Sequence, residues 1–270
     1  MWKGPTQLVW LGNLTSVDVF WCHKLQTTFS LSIARDLRKL QDVRITHCGM
    51  MKAIVSSEGG DDKIEFPKLK QLYLNYLPSF TAIYEAMNAI ELPQLSYLQL
   101  SNMPKLNCLC PASDSESNCD PIIQPLFNNK VKLATIENLL IYEMENLREI
   151  WPGELQAKLR EMTVLIPNII IFPQLSSLKL SDLPNLRSFC SRTCTFEGSL
   201  LKKIKVINCP KMEILPSAFQ RKLEQQKAHF STSSQHLLFY GKMEDSSIEI
   251  TEENHYASHE ATVQAIEAIS

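Results

Sequence analysis

The sequence predicts an α/β solenoid, with a curved parallel β-sheet on its concave face and irregular loops and short helices on its convex face. Two observations carry this expectation. The first is the stretch 92–110, LPQLSYLQLSNMPKLNCLC, which has Leu or Met at 95, 98, 100, 103, 106 and 109. That spacing is neither the period of two of a strand nor the 3.6 of a helix. Its L-x-L centre is a short strand entered and left by turns, which is the spacing of a leucine-rich repeat. The second observation is that the rest of the chain repeats this template.

The units follow in chain order. The first runs Leu14, Val17, Val19, Cys22, Leu25, Thr28, and the second Leu40, Val43, Ile45, Cys48, Met51, Ile54. The third is Leu69, Leu72, Leu74, Leu77, Phe80, Ile83, and the fourth is the opening stretch. The fifth is Ile136, Leu139, Ile141, Met144, Leu147, Ile150. The sixth is Leu175, Leu178, Leu180, Leu183, Leu186, Phe189, and the seventh Leu201, Ile204, Val206, Cys209, Met212, Leu215. Every template position except Thr28 is apolar. Each unit supplies one short strand, and its template side chains stack on the next unit. No unit can bury its apolar face alone, so stability is a sum over neighbours.

Three polar segments interrupt the pattern, at 56–65, 111–131 and 152–171. The first two are expected to be loops, the second of them a mobile one. The third is expected to open on a short helix at about 154–162, or to hide a degenerate repeat around 155–165. The repeat domain then covers 1–216, with a partial repeat at 1–13. A C-terminal cap is expected at 217–241, as a helix over 217–230 and a strand or capping segment over 235–241. The piece 242–270, with acidic residues and no Lys or Arg from Met243 on, is expected to be a weakly ordered acidic tail. The start shows no matching cap, so a longer parent or a truncated relative is expected.

Composition narrows the function. A net charge of −2 gives no general reason to expect nucleic acid or an anionic membrane as partner. No apolar run is long enough for a transmembrane helix. The eight cysteines are sparse for a secreted disulfide framework, and Cys22, Cys48 and Cys209 occupy a core position of the template. A reducing compartment is expected. The Cys108/Cys110 and Cys190/Cys194 pairs lack the spacing of a closed zinc site. His255 and His259 are a weak metal signal. His23 beside Cys22 and His47 beside Cys48 lack the exposed thiolate that nucleophilic catalysis requires. There is no phosphate-binding loop, no G-x-S-x-G elbow and no H-E-x-x-H. No catalytic residue, metal or cofactor is expected.

The concave face is the candidate site. Strand side chains alternate, so residues flanking the buried strand positions point outward. They include Asp18, Phe20, Asp42, Arg44, Tyr73, Asn75, Tyr97, Gln99, Tyr142, Lys179, Lys203 and Lys205. Acid lies at one end and base at the other. Tyr73, Tyr97 and Tyr142 are expected to form a central aromatic ladder. Tyrosine offers contact area with a polar tip and favours protein interfaces. The three lysines alone are weak grounds for a phosphate or RNA patch.

The segments after each strand are CHKLQTTF, CGMMKAIV, LPSFTAI, MPKLNCL, MENLREIW, LPNLRSF and CPKMEILP, and FPKLKQLYL and FPQLSSLKL precede or span two strands. Together they resemble the leucine-rich repeats of plant coiled-coil nucleotide-binding disease-resistance proteins, over about 14–216. The resemblance implies a cytoplasmic sensor and autoinhibitory module of plant innate immunity. It implies a pathogen effector, a guarded host protein or the parent receptor's nucleotide-binding domain as partner. The coiled coil and nucleotide-binding switch of that family are absent from this chain. A substrate-receptor repeat domain of a ubiquitin ligase is the alternative, and an enzyme with a cleft against the C-terminal tail is a third reading.

Overall fold

In a computed structural model, the described residues are 11–57, 63–86, 89–110, 125–128, 131–133, 135–151, 173–190, 200–213 and 219–221. They coil as a parallel solenoid. Numbered along the chain, its strands are β1 (Ser16–Phe20), β2 (Thr27–Phe29), β3 (Asp42–Thr46), β4 (Ala53–Val55), β5 (Ile64–Glu65), β6 (Gln71–Asn75) and β7 (Ala82–Tyr84). They continue as β8 (Ile90–Glu91), β9 (Tyr97–Ser101), β10 (Val131–Lys132), β11 (Asn138–Tyr142), β12 (Ser177–Ser181) and β13 (Lys203–Ile207). One helix, α1 (Leu31–Asp36), lies between β2 and β3.

The front sheet has seven strands in the order β1-β3-β6-β9-β11-β12-β13, each centred on an L-x-L of the sequence template. All pairs are parallel, and the register aligns the template leucines of one coil with those of the next. Val43, Leu72, Leu98, Leu139, Leu178 and Ile204 form one buried row, and Ile45, Leu74, Leu100, Ile141, Leu180 and Val206 form the second.

The turns explain the rest of the spacing. After each strand, the N–H of the template residue three places past a Cys, Leu or Met closes a one-turn loop onto that residue's carbonyl. Met51 N–H donates to Cys48, Phe80 to Leu77, Leu106 to Met103, Leu186 to Leu183 and Met212 to Cys209. Before the strands, Leu69 N–H donates to Phe66 O and Leu95 N–H to Leu92 O in the same way. The x-x that follows each front strand is therefore the tip of a turn between two anchors.

The convex side adds short strands to the expected loops and short helices. Two further parallel sheets build it, β2-β4-β7 and β5-β8-β10. Residues 219–221 are helical, and α1 is a helix of this side. Ser30 caps it, its hydroxyl accepting from Ile33 N–H, and Leu31, Ile33 and Ala34 are buried. The segment 56–65 is not wholly a loop, because Ile64–Glu65 is a strand and Ile64 is buried.

The segment 111–131 is also corrected at its end. Leu126 and Phe127 are fully buried. Leu109 N–H donates to Leu126 O, Leu126 N–H to Glu149 O and Phe127 N–H to Ile150 O. The insert thus adds a rung to the convex side between the coils of β9 and β11, which are direct neighbours on the front. An extra spacing of about 4.8 Å on the convex side alone must open a wedge and bend the front sheet inward. The remainder of that insert, residues 111–124, lies outside the described residues. So do the proposed helix or repeat within 152–171, the partial repeat at 1–10, most of the 217–241 cap and the 242–270 tail. From the cap only 219–221 is described, and Phe219 is buried there, edge-on to Phe189 at 5.0 Å.

The first coil is less complete than the template implies. Leu14, Val17, Cys22 and Leu25 are only partly buried, packed against the core from one side. Among the described residues nothing stacks on the outer edge of β1.

Candidate protein-recognition face

The outward residues of the front sheet fall into three rows, because the parallel register holds through all seven strands. The first row runs Ser16, Asp42, Gln71, Tyr97, Asn138, Ser177, Lys203. The middle row runs Asp18, Arg44, Tyr73, Gln99, Leu140, Lys179, Lys205. The last runs Phe20, Thr46, Asn75, Ser101, Tyr142, Ser181, Ile207, and of these Thr46, Ser101 and Ser181 are buried. With strands about 4.8 Å apart, each row spans about 29 Å.

Every residue predicted to face the concave side does lie on it. The tyrosines, however, do not stack as a ladder. Tyr97 belongs to the first row, Tyr73 to the middle row and Tyr142 to the last, so they cross neighbouring strands as separate half-buried groups. Two of them hold a cation over the ring: the Arg44 guanidinium lies 5.3 Å from the Tyr73 centroid, and the Lys179 ammonium 4.7 Å from that of Tyr142. The Tyr97 hydroxyl donates to Gln99 Oε1 at 2.6 Å. Side chains that would swing freely in water are therefore held flat, which lowers the entropy lost when a partner covers them.

Burial pushes the Tyr142 phenol up to about 12, with the Tyr97 and Tyr73 oxygens adding to the effect, and burial raises Tyr97 as well. Both stay neutral hydroxyls at any physiological pH, able to donate and accept. Charge is divided along the face as the sequence implied, with Asp18 and Asp42 toward β1 and Lys179, Lys203 and Lys205 toward β13.

Three of the thiols are shielded by burial. Cys48, Cys108 and Cys209 are each pushed up to about 11, chiefly by burial, so little thiolate exists near neutrality. Among the described residues no group of His, Cys, Asp and Glu could hold a metal ion. His255, His259, Cys119 and Cys194 lie outside the described residues.

The sequence reading missed a second row of exposed groups, just past the strands. Trp21, His47, Tyr76, Asn102, Glu143, Asp182 and Asn208 each follow a front strand and each has a positive φ, between 50° and 57°. The front ladder continues through them: Trp21 N–H donates to Thr46 O, His47 to Asn75 O, Tyr76 to Ser101 O, Asn102 to Tyr142 O and Glu143 to Ser181 O. The signal for this was available. Asn and Asp tolerate the left-handed region, and three of the seven positions carry them.

A family model described as plant disease resistance protein RPS2-like, leucine-rich repeats, matches residues 1–49. The matched stretch includes the first template unit and the second as far as Cys48. No curated protein and no solved structure matches the chain. The chain is thus similar, over its first part, to the leucine-rich repeats of plant disease-resistance proteins, and the solenoid geometry agrees with that repeat type. Among the described residues no helix is long and apolar enough to cross a membrane.

Proposed function

We propose that the chain is a non-enzymatic protein-recognition module, the sensor and autoinhibitory repeat region of a plant intracellular immune receptor. The observation that supports this reading best is the concave face. It offers three half-buried tyrosines, two of them pinned under a cation, between an acidic end and a basic end. A surface of that kind suits a folded protein partner of opposite charge polarity: aromatic anchors at the centre supply affinity, and charges at the ends set orientation and encounter rate. The partial match to resistance-protein repeats supports the immune context. In that context the partner is a pathogen effector, a guarded host protein or a nucleotide-binding domain, and the site of action is the cytoplasm.

The test is a quantitative pull-down from infected and uninfected plant extract with the full chain as bait. Proteins retained by the wild type are compared with those retained by a Tyr73→Ala/Tyr97→Ala/Tyr142→Ala variant of the same fold by circular dichroism. Loss of a retained protein supports the concave face. Equal retention by both baits sinks it.

A further inference from the structure

We propose that the rim at the C-terminal ends of the front strands is a second docking site, separate from the concave face. Its occupant would be an extended peptide segment bearing an aromatic or methionine anchor and, about four residues away, a lysine or arginine.

Backbone strain points to the rim first. A positive φ is tolerated by Asn and Asp but is unfavourable for a bulky side chain. Asn102, Asp182 and Asn208 obey this preference, whereas Trp21 and Tyr76 violate it on either side of His47. Exposed aromatic residues kept in a conformation that disfavours them mark a surface that needs the rings.

Exposure points to the same place. Trp21 is 62% exposed, Tyr76 50% and Met50, in the turn that follows His47, 47%. The rings are also ordered. His47 stacks on Trp21 at 4.2 Å and on Tyr76 at 5.0 Å. A methyl group added at Gly49, between His47 and Met50, would meet no atom within 4 Å, so the flank of the stack is open.

The stack also selects its ligand. His47 covers one face of each neighbouring ring and leaves the other face and the edges of Trp21 and Tyr76 to an incoming group. Open ring faces and edges pack well against another aromatic ring or against a thioether. An aromatic residue or methionine therefore fits as the anchor, and the basic residue is left to the carboxylates.

Charge sets the second contact. Further along the same rim stand Glu143 and Asp182. Glu143 accepts from the Asn102 amide at 2.6 Å, and Asp182 accepts from the Asn208 amide at 2.7 Å and from the Ser181 hydroxyl at 2.6 Å. Those donors are neutral, and among the described residues neither carboxylate has an ion pair. Lys105 and Lys211 occupy flanking turns, and Lys211 already donates to Asn185. Glu143 is two coils from Tyr76 and Asp182 is three, or about 10 and 14 Å. An extended chain covers that distance in about four residues.

The experiment pans a displayed library of random twelve-residue peptides on the full chain. The enriched pool should share an aromatic residue or Met and a basic residue about four positions apart. A synthetic peptide from that pool is then titrated. In the unsubstituted chain it should shift the Trp21 indole resonance. A Trp21→Asn/Tyr76→Asn variant should bind it about tenfold more weakly. Asn is chosen because it suits the positive φ, so the fold is retained. Glu143→Gln/Asp182→Asn should weaken binding and flatten its salt dependence, while Tyr97→Ala should leave it unchanged. A pool without the paired motif overturns the proposal. So does a bound peptide that leaves the indole resonance unmoved, or one whose affinity survives the double Asn substitution.

Discussion

At the residue scale, burial governs chemistry more than identity does. Cys48, Cys108 and Cys209 each sit in the core, where a thiolate is poorly solvated. We expect iodoacetamide at pH 8 to label these three much more slowly in the native chain than in denaturant, as read by mass spectrometry. Equal labelling rates would place the thiols at the surface. The alkaline limb of stability follows from the same groups. The thiols are raised from 9.0 to about 11 and Tyr142 from 10.0 to about 12. A group whose folded value is raised contributes stability that is complete below its unfolded value and lost as pH climbs toward the folded one. Melting temperature should thus hold to about pH 9 and fall between about 9 and 12. Tyr142→Phe should make the fall between about 10 and 12 shallower.

At the element scale, each front strand separates two functions by alternation. On β9, Leu98 and Leu100 are buried between neighbouring coils, while Tyr97 and Gln99 face outward. Leu98→Asp should destabilise by about 3 kcal/mol or more, because it buries an unpaired charge. Gln99→Asp should change the melting temperature little, since surface substitutions usually stay within about 0.5 kcal/mol. Thermal melts of the two variants check the register, and the reverse ranking would show it shifted by one residue. The insert before β10 provides a second element-level test. If Phe127 is only a loop residue, Phe127→Ala costs nothing. Its place in the convex rung, fully buried and 5.9 Å from the Trp151 ring, predicts a loss of about 3–5 kcal/mol in a denaturant titration.

At the scale of the whole molecule, the solenoid behaves as a one-dimensional stack. Interior coils meet a neighbour on both sides, and their template residues are fully buried. Among the described residues the first coil meets one, and Leu14, Val17 and Leu25 stay partly exposed. Hydrogen exchange should therefore be fastest in β1 and slowest in the coils of β6 and β9. Leu72→Ala should cost about 2–5 kcal/mol, and Val17→Ala clearly less. Uniform protection from β1 to β9 would mean that the outer edge of β1 is covered in solution. Side chains staple the stack as well: the Asn185 amide donates to Glu145 O at 2.7 Å, and the Asn146 amide to Pro104 O. Curvature also belongs to this scale, because the rung at Leu126–Phe127 lengthens the convex side without adding a front strand.

The sequence by itself determined the seven front strands, their buried and outward residues and the charge polarity of the concave face. It could do so because the template repeats locally: each L-x-L carries its own alternation, and each x-x its own turn. Only the tertiary structure decided the two convex sheets, the rung donated by the insert and the course of the tyrosines across three rows. Strands of two or three residues such as β4, β7 and β8 have too little length to show a period. They exist because the neighbouring coil offers carbonyls and N–H groups at the matching height. The rim of Trp21, His47 and Tyr76 has the same origin. These residues lie 26 and 29 positions apart in the chain, and the stacking of coils alone brings their rings into contact.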